Sequence, residues 1–148
     1  MEFSTSKNGI KQIIEICKEL PEWFTPKAVQ NIRKDFKKLS VLKVVKGKKI
    51  LGFAIYKSSG KSLGIEWLAV KKEFQNQGIG KELIEKLEKL AKKKRLEKIE
   101  TITLDKSTPS RTYESTRAFY KKQGFKKAKV IKRFWGNKNN ALFLEKNL

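Results

Sequence analysis

The sequence predicts an α+β domain in which a mixed, mostly antiparallel sheet of about six to seven strands is flanked by about four helices. Three observations predict it. Apolar residues repeat at helical spacing in four stretches. Between them lie short alternating or β-branched runs bounded by Gly, Asn and Ser. The period switches from strand to helix to strand in mid-chain, as a βαβ-like unit requires. The chain has 148 residues, which suits one domain, residues 1–148, with one core and no need of disulfide or metal.

The first helix is expected from about Ser6 to Leu20, with Ile10, Ile13, Ile14, Cys17 and Leu20 on one face and Pro21 as its stop. Thr25-Pro26 reads as a cap followed by proline at the first helical position. It opens a second helix that turns Ala28, Val29, Ile32, Phe36 and Leu39 inward. Three strands follow with short turns, Val41–Lys46, Ile50–Tyr56 and Leu63–Val70, in the spacing of an antiparallel meander. Gly80 to Lys94 carries Leu83, Ile84, Leu87, Leu90 and Ala91 on one stripe. Its outer face offers Glu82–Lys86, Glu85–Lys89 and Glu88–Lys92 four apart in the favoured order. The strand Lys98–Leu104 completes the βαβ-like unit. A short helix from about Thr112 to Gln123 ends at Gly124, a residue suited to a left-handed cap. Strands Phe125–Ile131 and Ala141–Lys146 close the chain around the loop Lys132–Asn140, which mixes aromatic and polar residues.

Composition excludes several chemistries. There is no histidine, so Ser-His-Asp and Cys-His nucleophiles and His-ligated zinc are unavailable, and no metal is expected. The single cysteine, Cys17, is expected to pack as a small buried hydrophobe. No run reaches the apolar length of a membrane span, and Met1 to Gly9 lacks the layout of a signal peptide; a cytoplasmic protein without a membrane partner is the expectation. Lys and Arg total 36 against 15 Asp and Glu, a formal charge of +21. Such a chain attracts polyanions. Only five of the 36 are Arg and the lysines are spread along the chain, a pattern that a general lysine bias also produces. A basic nucleic-acid-binding module without catalysis is the rival reading, supported by the charge and by Phe134-Trp135 beside lysines; no recognised nucleic-acid motif accompanies it.

The strongest chemical signal is Gln75-Asn76-Gln77-Gly78-Ile79-Gly80-Lys81, between the strand ending at Val70 and the amphipathic helix. Glycines let backbone approach a ligand closely. The first helical turn offers unpaired N–H groups and the positive end of the dipole. Together they form an anion cradle suited to a pyrophosphate. A phosphate-binding P-loop would need glycine where Gln75 stands, and the dinucleotide fingerprint would need it at Leu83.

Leu68-Ala69-Val70, four residues, then Gln-x-x-Gly-x-Gly and an amphipathic helix resembles the coenzyme A site of the GNAT N-acetyltransferase superfamily. Downstream, Thr116-Arg117-Ala118-Phe119-Tyr120-Lys121-Lys122-Gln123-Gly124-Phe125 is similar to that family's late helix, and the order of elements matches over essentially the whole chain. The resemblance implies acetyl-CoA as co-substrate and direct transfer to an amine. It implies that the backbone of Gln75, Asn76, Gln77, Gly78, Ile79, Gly80 and Lys81 holds the pyrophosphate and that Leu68, Ala69 and Val70 guide the pantetheine arm. Tyr120 then resembles the general acid. Tyr113 stands where many members carry an Asn, so that cofactor contact is not implied here. With no histidine, the base is a carboxylate, directly or through water, or the amine loses its proton to solvent. Glu66, between apolar Ile65 and Trp67, is the first candidate because such surroundings raise a carboxyl pKa; Asp105 is the second. By the same resemblance, Pro21-Glu22-Trp23-Phe24-Thr25 and Phe134-Trp135-Gly136-Asn137 would line the acceptor cleft. A small-molecule amine or peptide N-terminus is the expected acceptor. A polycationic one is disfavoured by the net charge. The sequence leaves a homodimer open.

Overall fold

A computed structural model describes residues 1–136 and 139–148. The elements are β1 (Glu2–Ser4), α1 (Ile10–Lys18), α2 (Pro26–Lys38), β2 (Ser40–Lys46), β3 (Lys49–Ser59), β4 (Ser62–Val70), a 3₁₀ turn (Lys72–Phe74), α3 (Ile79–Lys93), β5 (Lys98–Leu104), α4 (Arg111–Lys122), β6 (Lys126–Ile131) and β7 (Ala141–Asn147). The class is α+β as expected, with a seven-stranded sheet in the order β1-β2-β3-β4-β5-β7-β6. The pairs β1/β2, β2/β3, β5/β7 and β6/β7 are antiparallel. Two compact units are described: Met1–Lys57 with Ile65–Leu90, and Ser58–Gly64 with Ala91–Leu148.

In the first unit, α1 and α2 pack Ile13, Ile16, Cys17, Ile32 and Phe36 against Val41, Phe53, Ile55 and Ala69 of the sheet. Each fully buried aliphatic side chain there contributes about 1.5–3 kcal/mol. Cys17 is wholly buried, and burial pushes its thiol up to about 12, which keeps it protonated and inert. Helix α2 begins as its sequence demands: Thr25 accepts a hydrogen bond from Ala28 N at 3.2 Å, with Pro26 next in the chain.

The N-terminus departs from expectation. Helix α1 starts at Ile10, not near Ser6, and an unforeseen strand β1 pairs Phe3 with Val44. Lys43 of β2 is the cause. It is 2 % exposed, and its Nζ donates to Ser6 Oγ at 3.2 Å, Asn8 O at 2.8 Å and Asn8 Oδ1 at 2.5 Å. A buried ammonium needs such acceptors, and residues 6–8 supply them only when they are not helical. Gly9 then turns the chain into α1 with φ 89°, where an added Cβ would lie 2.5 Å from Ile50 Cδ1.

On α3 most of the predicted stripe is buried, with Leu83, Ile84, Leu87 and Ala91 all at 1 % exposure or less and Leu90 half-buried. On the outer face Glu85 pairs with Lys81 at 3.9 Å instead of Lys89, and Lys86 lies over the Phe3 ring.

In the second unit β7 is central, flanked by β5 and the edge strand β6. Helix α4 is capped by Ser110, whose Oγ accepts from Tyr113 N at 3.3 Å. Beyond it Gly124 takes φ 93° as expected, and Phe125 N donates to Tyr120 O. No helix among the described residues is long and apolar enough to cross a membrane.

Candidate functional site

The glycine loop is built by three local decisions. First, β4 ends as Lys71 N donates back to Leu51 O at 2.8 Å, and a single 3₁₀ turn follows. Second, Gln75 folds over that turn so that its Nε2 donates to Val70 O at 3.1 Å. Third, two left-handed residues reverse the chain. Asn76 has φ 63° and Gly78 φ 85°, conformations open to asparagine and glycine and costly for most other residues.

The consequence is a row of amides with nothing to bond. The first backbone bond into α3 runs from Glu82 N to Gly78 O at 3.0 Å. Among the described residues, no backbone N–H from Asn76 to Lys81 has a protein acceptor. Asn76, Gln77, Gly78 and Lys81 are exposed, Gly80 is half-buried and Ile79 is buried. These residues lie at the positive end of a helix of 15 residues, where unpaired backbone N–H groups and the dipole favour an oxyanion. Lys72 and Lys81 flank this end. The nearby Glu73 carboxylate is paired with Lys49 at 2.9 Å, a hydrogen bond that holds its carboxyl below the ordinary range.

One residue that the sequence did not single out fixes this geometry. Gly52, on β3, faces the start of α3. A Cβ built on it would lie 3.1 Å from Ala69 O, 3.2 Å from Ile79 Cγ2 and 3.5 Å from Leu83 Cδ1. The helix therefore seats itself on bare backbone, beside the strand residue Ala69. A glycine in the middle of a long apolar strand is the one signal that could have found it.

The remaining expected residues fare differently. Leu68, Ala69 and Val70 form the end of β4, with Ala69 buried and its neighbours half-buried. Glu66 is exposed on the same strand, and its carboxylate pairs with Lys57 at 3.2 Å. That is the environment of a solvated strand residue, because its apolar neighbours in sequence are not what the side chain meets. Asp105 is buried, accepts from Ser107 N at 3.0 Å, and is held below the usual carboxylate range, chiefly by the Ser107 hydroxyl. It organises a turn and is a poor proton acceptor. Of the expected acceptor wall, Phe24 belongs to the core, 6.2 Å from Trp67, and Trp23 packs against that core. Trp135 is half exposed in the second unit, and Asn137 lies outside the described residues.

Tyr120 also belongs to the second unit. Its ring stacks edge-on with Phe119 and Phe125, both at 5.1 Å between centroids. Burial pushes its phenol up to about 12 against a hydrogen bond with the Thr101 side chain that pulls the other way. The other tyrosines move in the same direction, Tyr113 by burial and Tyr56 by burial opposed by its hydrogen bond with Ser40.

Comparison with known proteins agrees with the fold. Residues 38–127 match the family model described as an acetyltransferase (GNAT) domain. No curated protein matches the sequence. Among solved structures, a GNAT-family acetyltransferase from Desulfovibrio desulfuricans superposes with a TM-score of 0.84 at 17% identity, covering 99% of this chain and 98% of that one. A ribosomal-protein-alanine N-acetyltransferase from Escherichia coli gives 0.77 at 15%, covering 99% and 92%. An aminoglycoside 6'-N-acetyltransferase complexed with coenzyme A gives 0.77 at 18%, covering 99% and 97%. At these identities the likeness speaks for the fold.

Two predictions follow from this geometry. Gly52→Ala should cost about 1–3 kcal/mol, because a methyl group at 3.1 Å from a backbone oxygen forces α3 or β4 to shift; urea denaturation measures it, and an unchanged midpoint would remove the packing argument. For Tyr120 the folded state keeps its proton between the ordinary value of 10.0 and about 12, whereas the unfolded chain releases it. Its contribution to stability is therefore complete below pH 10 and lost as the pH rises toward 12. An alkaline titration followed by phenolate absorbance should show all three tyrosines ionising above 10, and three normal titrations in a protein that is still folded would contradict this.

Proposed function

The chain belongs to the GNAT acetyltransferase family, and from that premise we propose that it transfers an acetyl group from acetyl-CoA directly to a primary amine while both substrates are bound. The row of unbonded amides from Asn76 to Lys81 carries this reading. It suits a diphosphate by charge and by donor count, and Gly78 leaves open space where a side chain would otherwise stand.

When bound, acetyl-CoA supplies a thioester carbonyl that is open to attack by an amine. What the chain contributes is position and polarity. The amides of Gln75 to Lys81 hold the diphosphate, and the end of β4, Leu68 to Val70, orients the arm through main-chain groups. Holding the two reactants together supplies much of the rate, and a strand N–H aimed at the carbonyl oxygen stabilises charge as it develops there. Tyr120 serves as proton donor. Its phenol stays protonated at neutral pH because burial raises it, and the protonated form is the one a donor needs. Glu66, exposed and held by Lys57, takes the ammonium proton through water.

The acceptor in this reading is a small-molecule amine or a peptide N-terminus, and the setting is the cytoplasm. Two structures with this fold are named for an aminoglycoside and for the alanine of a ribosomal protein, which supports an acceptor of either kind. The positive charge of the chain argues against a polycationic acceptor.

Acetyl-CoA should raise the melting temperature saturably. Tyr120→Phe should leave that shift intact while cutting turnover on an amine panel by about 10²–10⁴; full turnover in this variant would refute the donor role, and no shift in the wild type would refute the proposed function itself. Glu66→Gln should displace the acid limb of the pH–rate profile, and a superimposable profile would leave deprotonation to solvent.

A further inference from the structure

The charge is not spread evenly through the structure. The second unit holds 18 Lys and Arg against 5 Asp and Glu, a net +13 in 65 residues, whereas the first holds 18 against 10, a net +8 in 83. The acetyl-transfer reading gives this excess no task. The second unit also carries exposed aromatic and aliphatic surface that no packing explains. Ile102, Phe134 and Trp135 are 42%, 44% and 50% exposed.

These residues form one array. In the sheet Ile102 lies opposite Phe143, and Phe143 opposite Lys129, so the three share a face. Lys129 Nζ stands 4.9 Å from the centre of the Phe143 ring. Phe134 packs edge-to-face on Phe143, and Trp135 on Phe134, each at 5.4 Å and nearly perpendicular. A bulge between Lys127 and Lys129 brings Lys126 to the same face, opposite Glu145. The carboxylates on this face, Glu100 and Glu145, are both paired with Lys98. Lys126, Lys129, Lys132 and Arg133 have no carboxylate partner among the described residues.

Asn140 stitches the aromatic turn to a second cationic feature. Its Oδ1 accepts from Arg133 N at 3.0 Å, its Nδ2 donates to Ser107 Oγ at 2.9 Å, and its carbonyl accepts from Asp105 N at 3.0 Å. The loop so held contains Lys106, which together with Arg111, Arg117 and Lys121 lines a separate cleft of about 530 Å³ against α4; α4 packs on the Thr101 side of the sheet, away from Ile102 and Phe143.

We propose that this face of the second unit binds single-stranded nucleic acid, bases stacking on Trp135 and Phe134 while Lys126, Lys129, Lys132 and Arg133 meet the phosphates. Exposed rings with cations beside them are how sequence-tolerant single-strand sites work. A membrane fits less well, because Lys129 sits on a ring, within the apolar array, and insertion would strip its ammonium of water. The charge also opposes a second copy of the chain, which would bring a like-charged face.

The test is fluorescence anisotropy with labelled oligo-U and oligo-dT of about fifteen nucleotides. Wild type should bind with log Kd rising linearly with log salt, at a slope of about 0.7 per phosphate engaged. Trp135→Ala, which leaves the charge unchanged, should weaken binding about tenfold. The triple variant Lys129→Ala/Lys132→Ala/Arg133→Ala should weaken it far more than the charge-matched Lys27→Ala/Lys34→Ala/Lys37→Ala on the exposed side of α2. Equal losses from the two triples, with Trp135→Ala silent, would mean diffuse attraction and overturn the proposal. So would loss of binding to phosphatidylserine vesicles but not to RNA in Trp135→Ala, or a wild-type dimer that this substitution turns into a monomer. The acetyl-CoA melting shift, measured on the same samples, reports on the transferase reading independently.

Discussion

The approach of α3 to bare backbone at Gly52 is the constraint from which the glycine loop follows. Leu83, Ile84 and Leu87 commit one face of the helix to the core, and their burial fixes the helix axis more firmly than any loop contact could. Given that axis, the helix can begin as close to the sheet as it does only because β3 presents no side chain there. The chain arriving from Val70 must then reverse within a few residues, and the left-handed pair Asn76 and Gly78 does so. The unbonded amides are what remains when a reversal this tight feeds directly into a helix.

That origin explains how much could be read from the sequence. Periodicity located every helix and all strands but β1, because burial on one side imposes the same spacing wherever it occurs. The loop was legible for a similar reason: a main-chain site needs permissive residues at fixed positions, and glycine at position 78 records that need. Gly52 was not legible, since what it accommodates lies on another element. The start of α1 failed in the same way. Nothing local forbids helix at Ser6 to Asn8; the demand comes from Lys43, buried on β2 and far along the chain. A buried lysine is rare enough that sequence reasoning places it outside by default.

Side-chain roles were harder to read than main-chain roles. Glu66 has apolar neighbours in sequence, but alternation along a strand sends consecutive side chains to opposite faces, so Ile65 and Trp67 say nothing about what a carboxyl between them meets. It meets Lys57. The resemblance puts Phe24 in the wall of an acceptor cleft, whereas it is core, because an aromatic of that size is drawn into any interior within reach. Asp105 ends a strand, where a functional carboxylate and a turn-forming one look alike, and its hydrogen bonds with Ser107 identify the second.

The lysines show the same limit in another form. A net charge has no geometry, and +21 along a sequence reads as solvation spread over a surface. Strand β6 turns part of it into a pattern. As an edge strand it gains from lysines in any case, since charge discourages pairing with another chain. Strict alternation would send Lys126 and Lys129 to opposite faces. The bulge between Lys127 and Lys129 adds one residue, and that single residue reverses the parity. Both ammoniums then share the face of Phe143, beside the exposed rings of Phe134 and Trp135. Edge protection alone would be served by lysines on either face, so it accounts for the presence of the charges and not for their gathering beside the rings.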